Sequence, residues 1–197
     1  VWSSERGKNL TFSLILKPDL PAEFSGLISL YASLSVAEAV GSLTGLVPDC
    51  KWPNDVLLGG LKVCGILSES GIDRGKVASA IVGIGLNVNQ TLFPPELQPP
   101  PTSLALATGR SYDLTEVLSA LLERLEFRYA DLQAHAGGSM INEWKDHSTT
   151  IGRNVTVRME GRTVSGLATG LARDGGLILR VDGTERKISA GDISMTP

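Results

Sequence analysis

Lys51-Trp52-Pro53-Asn54-Asp55-Val56-Leu57-Leu58-Gly59-Gly60-Leu61-Lys62-Val63-Cys64-Gly65-Ile66-Leu67-Ser68 holds two apolar runs that meet at a Gly-Gly pair. Both glycines can take positive φ without steric cost, which predicts a hairpin with strands over Lys51–Leu58 and Leu61–Ser68. Pro53 has no N–H for a sheet ladder, so it belongs at an edge, a bulge or a strand start. Taken alone, Lys51 to Asp55 is either a strand entrance with a solvated Asn-Asp turn or a ligand-facing loop. Strict alternation along the second strand puts Lys62, Cys64 and Ile66 on one face and Val63, Gly65 and Leu67 on the other. A lysine there either snorkels at the strand end or faces a ligand. A glycine inside a strand often marks the close approach of something bulky.

Upstream, Thr11 to Leu16 reads as a buried strand closed by Lys17-Pro18. Pro21 suits the first turn of a helix, where its missing N–H has no partner to lose. Leu27, Leu30, Tyr31, Leu34 and Ala37 then recur at helical spacing until Gly41 to Gly45. Downstream, Val77 to Gly85 is another buried strand, and the Pro-rich residues Thr91 to Pro101 predict an exposed irregular loop. Asp113 and Glu116 open a long helix in the manner of a capping box. Val117, Leu118, Leu121, Leu122, Leu125, Tyr129 and Leu132 form its apolar face, and Gly137-Gly138 stop it. Ile141 to His147 reads as a short further helix.

After Gly152 the character changes. Asn154–Met159, Thr163–Thr169, Leu177–Val181 and Arg186–Ser189 are short alternating strands separated by Glu160-Gly161, Asp174-Gly175-Gly176 and Asp182-Gly183, which predicts a small all-β barrel. No internal repeat is visible. A net charge of −3 and a pI near 5.4 argue against a dedicated nucleic-acid surface in this segment. Two cysteines, Cys50 and Cys64, with no C-x-x-C pair read as reduced packing residues. The unbroken apolar stretches are short, so no membrane span is expected. No leader-like segment opens the chain, and the N-x-S/T triplets at Asn9, Asn89 and Asn154 read as chance matches. A cytoplasmic location is expected.

The third informative element is Val82-Gly83-Ile84-Gly85-Leu86-Asn87-Val88-Asn89. It lacks the third glycine and the βαβ context of a dinucleotide fingerprint, and no Walker-type G-x-x-x-x-G-K-[ST] is present. Asn87, however, has an amide donor and an acceptor to offer an adenine edge.

In this order and spacing, the Lys51–Asp55 pentapeptide, Lys62-x-x-Gly65-Ile66-Leu67 and Gly83-x-Gly85-x-Asn87-x-Asn89 resemble the biotin protein ligase family. The resemblance runs from Trp2 to the C-terminus, where Gly191-Asp192-Ile193-Ser194 matches the family's barrel ending. It implies an α+β fold: a mixed-sheet biotin/lipoate ligase-like catalytic domain over 1–150, with its N-terminal part missing, then an SH3-like β-barrel over 151–197.

The activity implied is ATP-dependent formation of biotinyl-5′-AMP, then transfer of biotin to a lysine of a biotin carboxyl carrier protein or carboxylase acceptor domain. By resemblance, Lys62 is the catalytic lysine that contacts the biotin carboxylate and the phosphate. A fixed ammonium there lowers the barrier as charge builds on the phosphoryl oxygens. Lys62, Gly65, Ile66, Gly83 and Gly85 match the biotin site. Trp2, Lys51, Asn54, Asp55 and Asn87 match the nucleotide site, although Trp2 is equally readable as a core residue. Mg²⁺ is expected with ATP; it needs only one or two carboxylates, so its ligand is left open. Asp192 is a further residue through which the barrel could assist ATP or acceptor docking. A homodimer is within the family's range, and this segment is expected to contact neither membrane nor nucleic acid.

Family members carry a G-R-G-R-x-G loop directly before the position of Trp2, and earlier polar residues that grip the biotin ureido ring. This sequence contains neither. A second reading is therefore an inactive or binding-only fragment; a third is a lipoate ligase of the same superfamily, which the Lys51–Asp55 set opposes. The helix-turn-helix of the family's repressor members would lie upstream of Val1.

Overall fold

The computed structural model describes all residues except 1, 3, 98, 136, 137, 160, 196 and 197. Gly137 of the expected helix stop and Glu160 of an expected turn thus lie outside the described residues, as do Val1 and Ser3. The elements are β1 (Leu10–Leu16), α1 (Leu27–Thr44), β2 (Asp49–Lys51), β3 (Asp55–Leu58), β4 (Leu61–Asp73), β5 (Lys76–Leu86), α2 (Leu104–Thr108), α3 (Leu114–His135) and α4 (Gly138–Asp146). A second strand set follows: β6 (Asn154–Met159), β7 (Arg162–Leu171), β8 (Leu177–Val181), β9 (Thr184–Ile188) and β10 (Asp192–Met195). The fold is α+β, with a large sheet ordered β1-β5-β4-β3-β2 and a small sheet ordered β10-β6-β7-β8-β9. Among the described residues every strand pair is antiparallel, and parallel pairing is confined to the isolated bridges Cys50↔Ser148 and Lys62↔Pro101.

Alternation gives the large sheet two unlike faces. Leu10, Phe12, Leu14 and Leu16 of β1 join Cys64, Ile66, Val82, Ile84 and Leu86 in the core beneath α1. The opposite face is open, and across it Thr11, Gly85, Gly65 and Asp55 sit in register on four successive strands. α1 is buried nearly all round because the sheet lies on one side and α3 and α4 on the other. Residues 22–44 contain a helix long and apolar enough to cross a membrane, against the sequence expectation, but most of it is buried in this core. The two serines inside α1 keep the stretch compatible with burial: Ser33 and Ser35 donate their hydroxyls to Leu30 and Tyr31 carbonyls. Arg128 of α3 ties the helices together by pairing with Glu38 of α1 and Glu143 of α4. The hydrogen bond with Glu38 is the main cause that raises the Arg128 pKa.

Several expectations need correction. Lys51–Leu58 is not one strand: β2 ends at Lys51, residues 52–54 turn, and Lys51 pairs with Asp55 across a tight hairpin. Pro53, with no N–H to give a ladder, sits in that turn, after a cis Trp52–Pro53 bond. Gly59 and Gly60 do take positive φ, 57° and 80°. β4 runs on past Ser68 to Asp73 and returns through Arg74-Gly75 into β5, because backbone pairing continues after the apolar alternation stops. Pro21 precedes a 3-10 turn over Ala22–Phe24 rather than opening α1. α2, capped by the Ser103 hydroxyl, and β10 were not anticipated. Asp113 does cap α3, accepting from the Thr115 and Glu116 amides.

The Pro-rich loop is less free than its composition suggests: Pro100 O accepts from the Lys62 amide, and Thr102 N donates to Lys62 O. In the small sheet, hydrogen bonding among the described residues does not close β9 onto β10. The segment joining the two sheets is laid along β2, with Cys50 N donating to His147 O and Thr149 N to Cys50 O.

Candidate functional site

Lys62 reaches the open face because of a β-bulge. The β3–β4 register shifts between Val56 and Leu57, so that Val56 opposes Cys64 while Leu57 opposes Lys62. Val63 is the extra residue, and it moves Lys62 onto the side of Gly65 and Asp55. Strict alternation, which put Lys62 with Cys64 and Ile66, is therefore wrong at this residue. The Lys62 ammonium lies 2.5 Å from Asp55 Oδ1, and Lys51 lies 3.8 Å from the other Asp55 oxygen. Asp55 is only 8% exposed, so its charge is held by these two cations rather than by water.

Two cavities meet at this lysine. One, of about 540 Å³, runs along the open face and is lined by Trp2, Thr11, Ser13, Gly65, Leu67, Gly83 and Gly85, with Lys62 and Asn54 at its end. The other, of about 860 Å³, lies between the Lys51–Asp55 hairpin and the small sheet. Lys62 and Asn54 line both. The second cavity adds Lys51, Arg153 and Arg158 to the cations and Asp49 and Asp192 to the carboxylates. Among the described residues, the Arg153 and Arg158 guanidinium groups have no ion-pair partner.

The glycines are unequal. A Cβ on Gly85 would stand 2.5 Å from the Trp2 indole, and one on Gly65 would stand 2.9 Å from it. The indole therefore lies flat on these two residues, which only glycine permits. At Gly83 the nearest atom is 3.7 Å away, so the close approach occurs at Gly85 and not at Gly83. Trp2 thus sits with the residues assigned to biotin, and its ring centroid is 5.8 Å from Lys62 Nζ. Its indole Nε1 is buried without a partner.

Asn54 is bound to the backbone of Ile66 twice: Asn54 Nδ2 donates to Ile66 O at 2.6 Å, and Ile66 N donates to Asn54 O at 3.0 Å. The Ile66 side chain points into the core, so only its backbone borders the cavity. Asn87 lies off both cavities, beneath the 100–102 loop, with its amide donating to Thr102 O at 2.9 Å. Its Oδ1 is buried without a partner, and Nδ2 uses one of its two hydrogens on Thr102 O, so an acceptor and one N–H are left. Asn89 holds Tyr112 by two hydrogen bonds, so the second asparagine of the motif is structural. Burial pushes the Cys50 thiol up to about 12 and the Cys64 thiol upward as well, which suits packing rather than nucleophilic residues.

Sequence reasoning missed Thr11, Ser13, Arg153 and Arg158. The hydroxyls could have been found from the outward phase of β1; the arginines needed the packing of the small sheet against the hairpin.

The sequence model of the Biotin/lipoate A/B protein ligase family matches residues 1–87, and that of the Biotin protein ligase C terminal domain matches residues 150–196. The chain is 36% identical over 197 residues to the "Bifunctional ligase/repressor BirA" of Bacillus spizizenii, covering 99% of this chain and 61% of that protein. It is 30% identical over 190 residues to the "Biotin--[acetyl-CoA-carboxylase] ligase" of Paracoccus denitrificans, covering 94% of this chain and 79% of the other. The solved structure of the biotin protein ligase from Aquifex aeolicus in complex with biotin and ATP superposes with a TM-score of 0.80 at 31% identity, over 96% of this chain and 78% of that one. The chain belongs to the biotin protein ligase family. It spans about three-fifths of the length of the Bacillus relative.

Proposed function

We propose that the protein forms biotinyl-5′-AMP from biotin and ATP and transfers the biotin to a lysine of a carboxylase acceptor domain. The observation that carries this reading is the junction at Lys62, where a glycine-floored cavity meets a cationic one. An acid in the first and a triphosphate in the second would bring a carboxylate and an α-phosphate to one ammonium. The carboxylate oxygen attacks the α-phosphorus and pyrophosphate leaves; the acceptor ε-amine then attacks the carbonyl of the mixed anhydride, loses a proton and releases AMP. Lys62 offsets the charge building on the phosphoryl oxygens, the term that dominates such reactions. Since the amine attacks the anhydride directly, neither buried thiol has a covalent role.

In this reading Lys62, Gly65, Gly83, Gly85 and the Ile66 backbone serve biotin, while Lys51, Asn54, Asp55 and Asn87 serve the nucleotide. Trp2 lies on the biotin side, with its indole packed on Gly65 and Gly85. Asn87 Oδ1 is an unpaired acceptor of the type an adenine amino group needs, but it is buried off both cavities, so its assignment rests on the resemblance. Among the described residues no group of three or more metal-ligating side chains exists. A Mg²⁺ that arrives on the phosphates needs only one or two carboxylates, and Asp49, Asp55 and Asp192 on the cavity wall supply that type of ligand. The catalytic unit corresponds to residues 1–150 and the small sheet to 151–197. A cytoplasmic location is supported by the two unpaired buried thiols. A homodimer and the absence of nucleic-acid and membrane contacts belong to the same proposal and rest on resemblance and charge.

The test is to incubate the full-length protein with ATP and biotin or lipoate and follow pyrophosphate release and acceptor labelling. Biotin-dependent adenylate and acceptor labelling are expected. Adenylate with lipoate alone, or none with either acid, would overturn the proposal.

A further inference from the structure

We infer that Trp52 is a positioning residue, through which the small sheet and the 147–150 joint hold the Lys51–Asp55 hairpin and so place Asp55 against Lys62. The inference rests on the ligase reading above, and it adds a role for a residue that borders the second cavity but is 2% exposed and is given no contact with the reacting groups in that reading.

Trp52 is 2% exposed and is held at both of its N–H groups. Its indole Nε1 donates to Gly175 O in the β7–β8 turn at 3.0 Å, and its amide donates to the Thr150 hydroxyl at 3.1 Å. The turn it grips is itself fixed against the large-sheet unit. A Cβ on Gly26, just before α1, would stand 2.7 Å from Asp174 O, and one on Gly175 would stand 3.1 Å from Leu30 Cδ1. The Gly26 neighbour is backbone, and behind Leu30 the Gly175 neighbour is the Gly26 backbone at 3.3 Å, so side-chain motion alone can absorb little of a shift.

From Trp52 the constraint passes along three residues. Pro53 follows directly, Asn54 is clamped to the Ile66 backbone in both directions, and Asp55 pairs with Lys62 at 2.5 Å. The hairpin sits on the outer edge of the large sheet, where among the described residues β2 has β3 as its one strand neighbour. Its other side is held by the joint, through Cys50, and by the small sheet, through Trp52. A misplacement near 1 Å of a reacting group can cost on the order of 100-fold in rate, so a loosened hairpin should be felt at the chemical step.

The experiment uses the full-length protein and three substitutions. Trp52→Phe keeps an aromatic ring, though a smaller one, and removes the indole N–H. Thr150→Val removes the acceptor with almost no change of shape, and Thr150→Ser restores it. Functional sites are counted by stoichiometric biotin titration, so that any unfolded fraction is removed from kcat. Trp52→Phe and Thr150→Val are expected to lower kcat for adenylate formation by on the order of 10- to 100-fold. The biotin Kd is expected to stay within about twofold, because Gly65, Gly83 and Gly85 of its cavity lie on β4 and β5, outside the hairpin. Thr150→Ser is expected to retain the parent kcat.

Hydrogen exchange at the Ile66 amide, which donates to Asn54 O, gives a readout that needs no turnover. Faster exchange in Trp52→Phe is expected. Parent-like kcat per titrated site, or unchanged Ile66 exchange, would overturn the inference. If the parent itself forms no adenylate the ligase proposal fails, and the Ile66 amide still decides whether Trp52 holds the hairpin.

Discussion

Replacing Lys62 with alanine removes the charge on which the proposed chemistry converges. Two effects add. The first is loss of a donor to the developing phosphoryl charge, worth about 3 kcal/mol by comparison with oxyanion-type donors, or about 100-fold in rate. The second comes from Asp55, whose nearest cation at 2.5 Å disappears while Lys51 stays at 3.8 Å. A carboxylate left facing an α-phosphate about 5 Å away repels it by roughly 3 kcal/mol at an effective dielectric near 20, which Lys51 partly offsets. The expected fall in adenylate formation is therefore on the order of 1,000-fold or more. Removing both charges, in Lys62→Ala/Asp55→Asn, should recover about one power of ten, because the repulsive part goes and the missing donor does not return. The assay is single-turnover pyrophosphate release with saturating biotin, normalised to folded protein by circular dichroism. Release by Lys62→Ala within about threefold of the parent would refute the electrostatic argument, and a double variant slower than the single one would refute the role given to Asp55.

Gly85→Ala should abolish high-affinity biotin binding in calorimetry, since its Cβ would meet the Trp2 ring at 2.5 Å, whereas Gly83→Ala should weaken it little, with 3.7 Å of clearance. Asn87→Ala should mainly raise KM for ATP, by roughly 10-fold for one lost hydrogen bond and a loosened Thr102, and an effect confined to biotin would contradict the placement. Arg128→Ala should lower stability in urea melts by about 2–3 kcal/mol, below the range for a fully buried pair because Glu143 is partly exposed, while leaving KM for both substrates unchanged. The thiols give a pH signature. Burial raises the Cys50 pKa to about 12 from an ordinary value near 9, so the folded state holds that proton more tightly than the unfolded chain. This contribution is complete below about pH 8.5 and is lost as pH rises toward 12, so a urea midpoint that climbs with pH across that window would contradict it.

Much of this was legible because alternation and turn chemistry are local. Gly59-Gly60 specified a hairpin and Asp113 specified a helix start, whereas Thr11–Leu16, expected to be buried, is two-faced, with Thr11, Ser13 and Ile15 exposed. The ordered motifs pointed to Lys62, although alternation aimed it at the wrong face; a bulge at Val63 depends on how β3 and β4 share hydrogen bonds, and no local pattern encodes that. The long reach of β4 and the β10 edge were hidden for a similar reason, since backbone pairing does not require apolar side chains. Arg153, Arg158 and the Trp52 contacts depend on how the small sheet docks, over 90 residues away in the chain, where sequence spacing carries little information.

The most direct measurement is a crystal structure of the full-length protein with biotin and ATP bound. Biotin is expected along the cavity bounded by Gly65, Gly83 and Gly85, with its carboxylate and the α-phosphate on either side of Lys62 Nζ and the adenine amino group on Asn87 Oδ1. Biotin bound with its carboxylate away from Lys62, or both ligands confined to one of the two cavities, would contradict it.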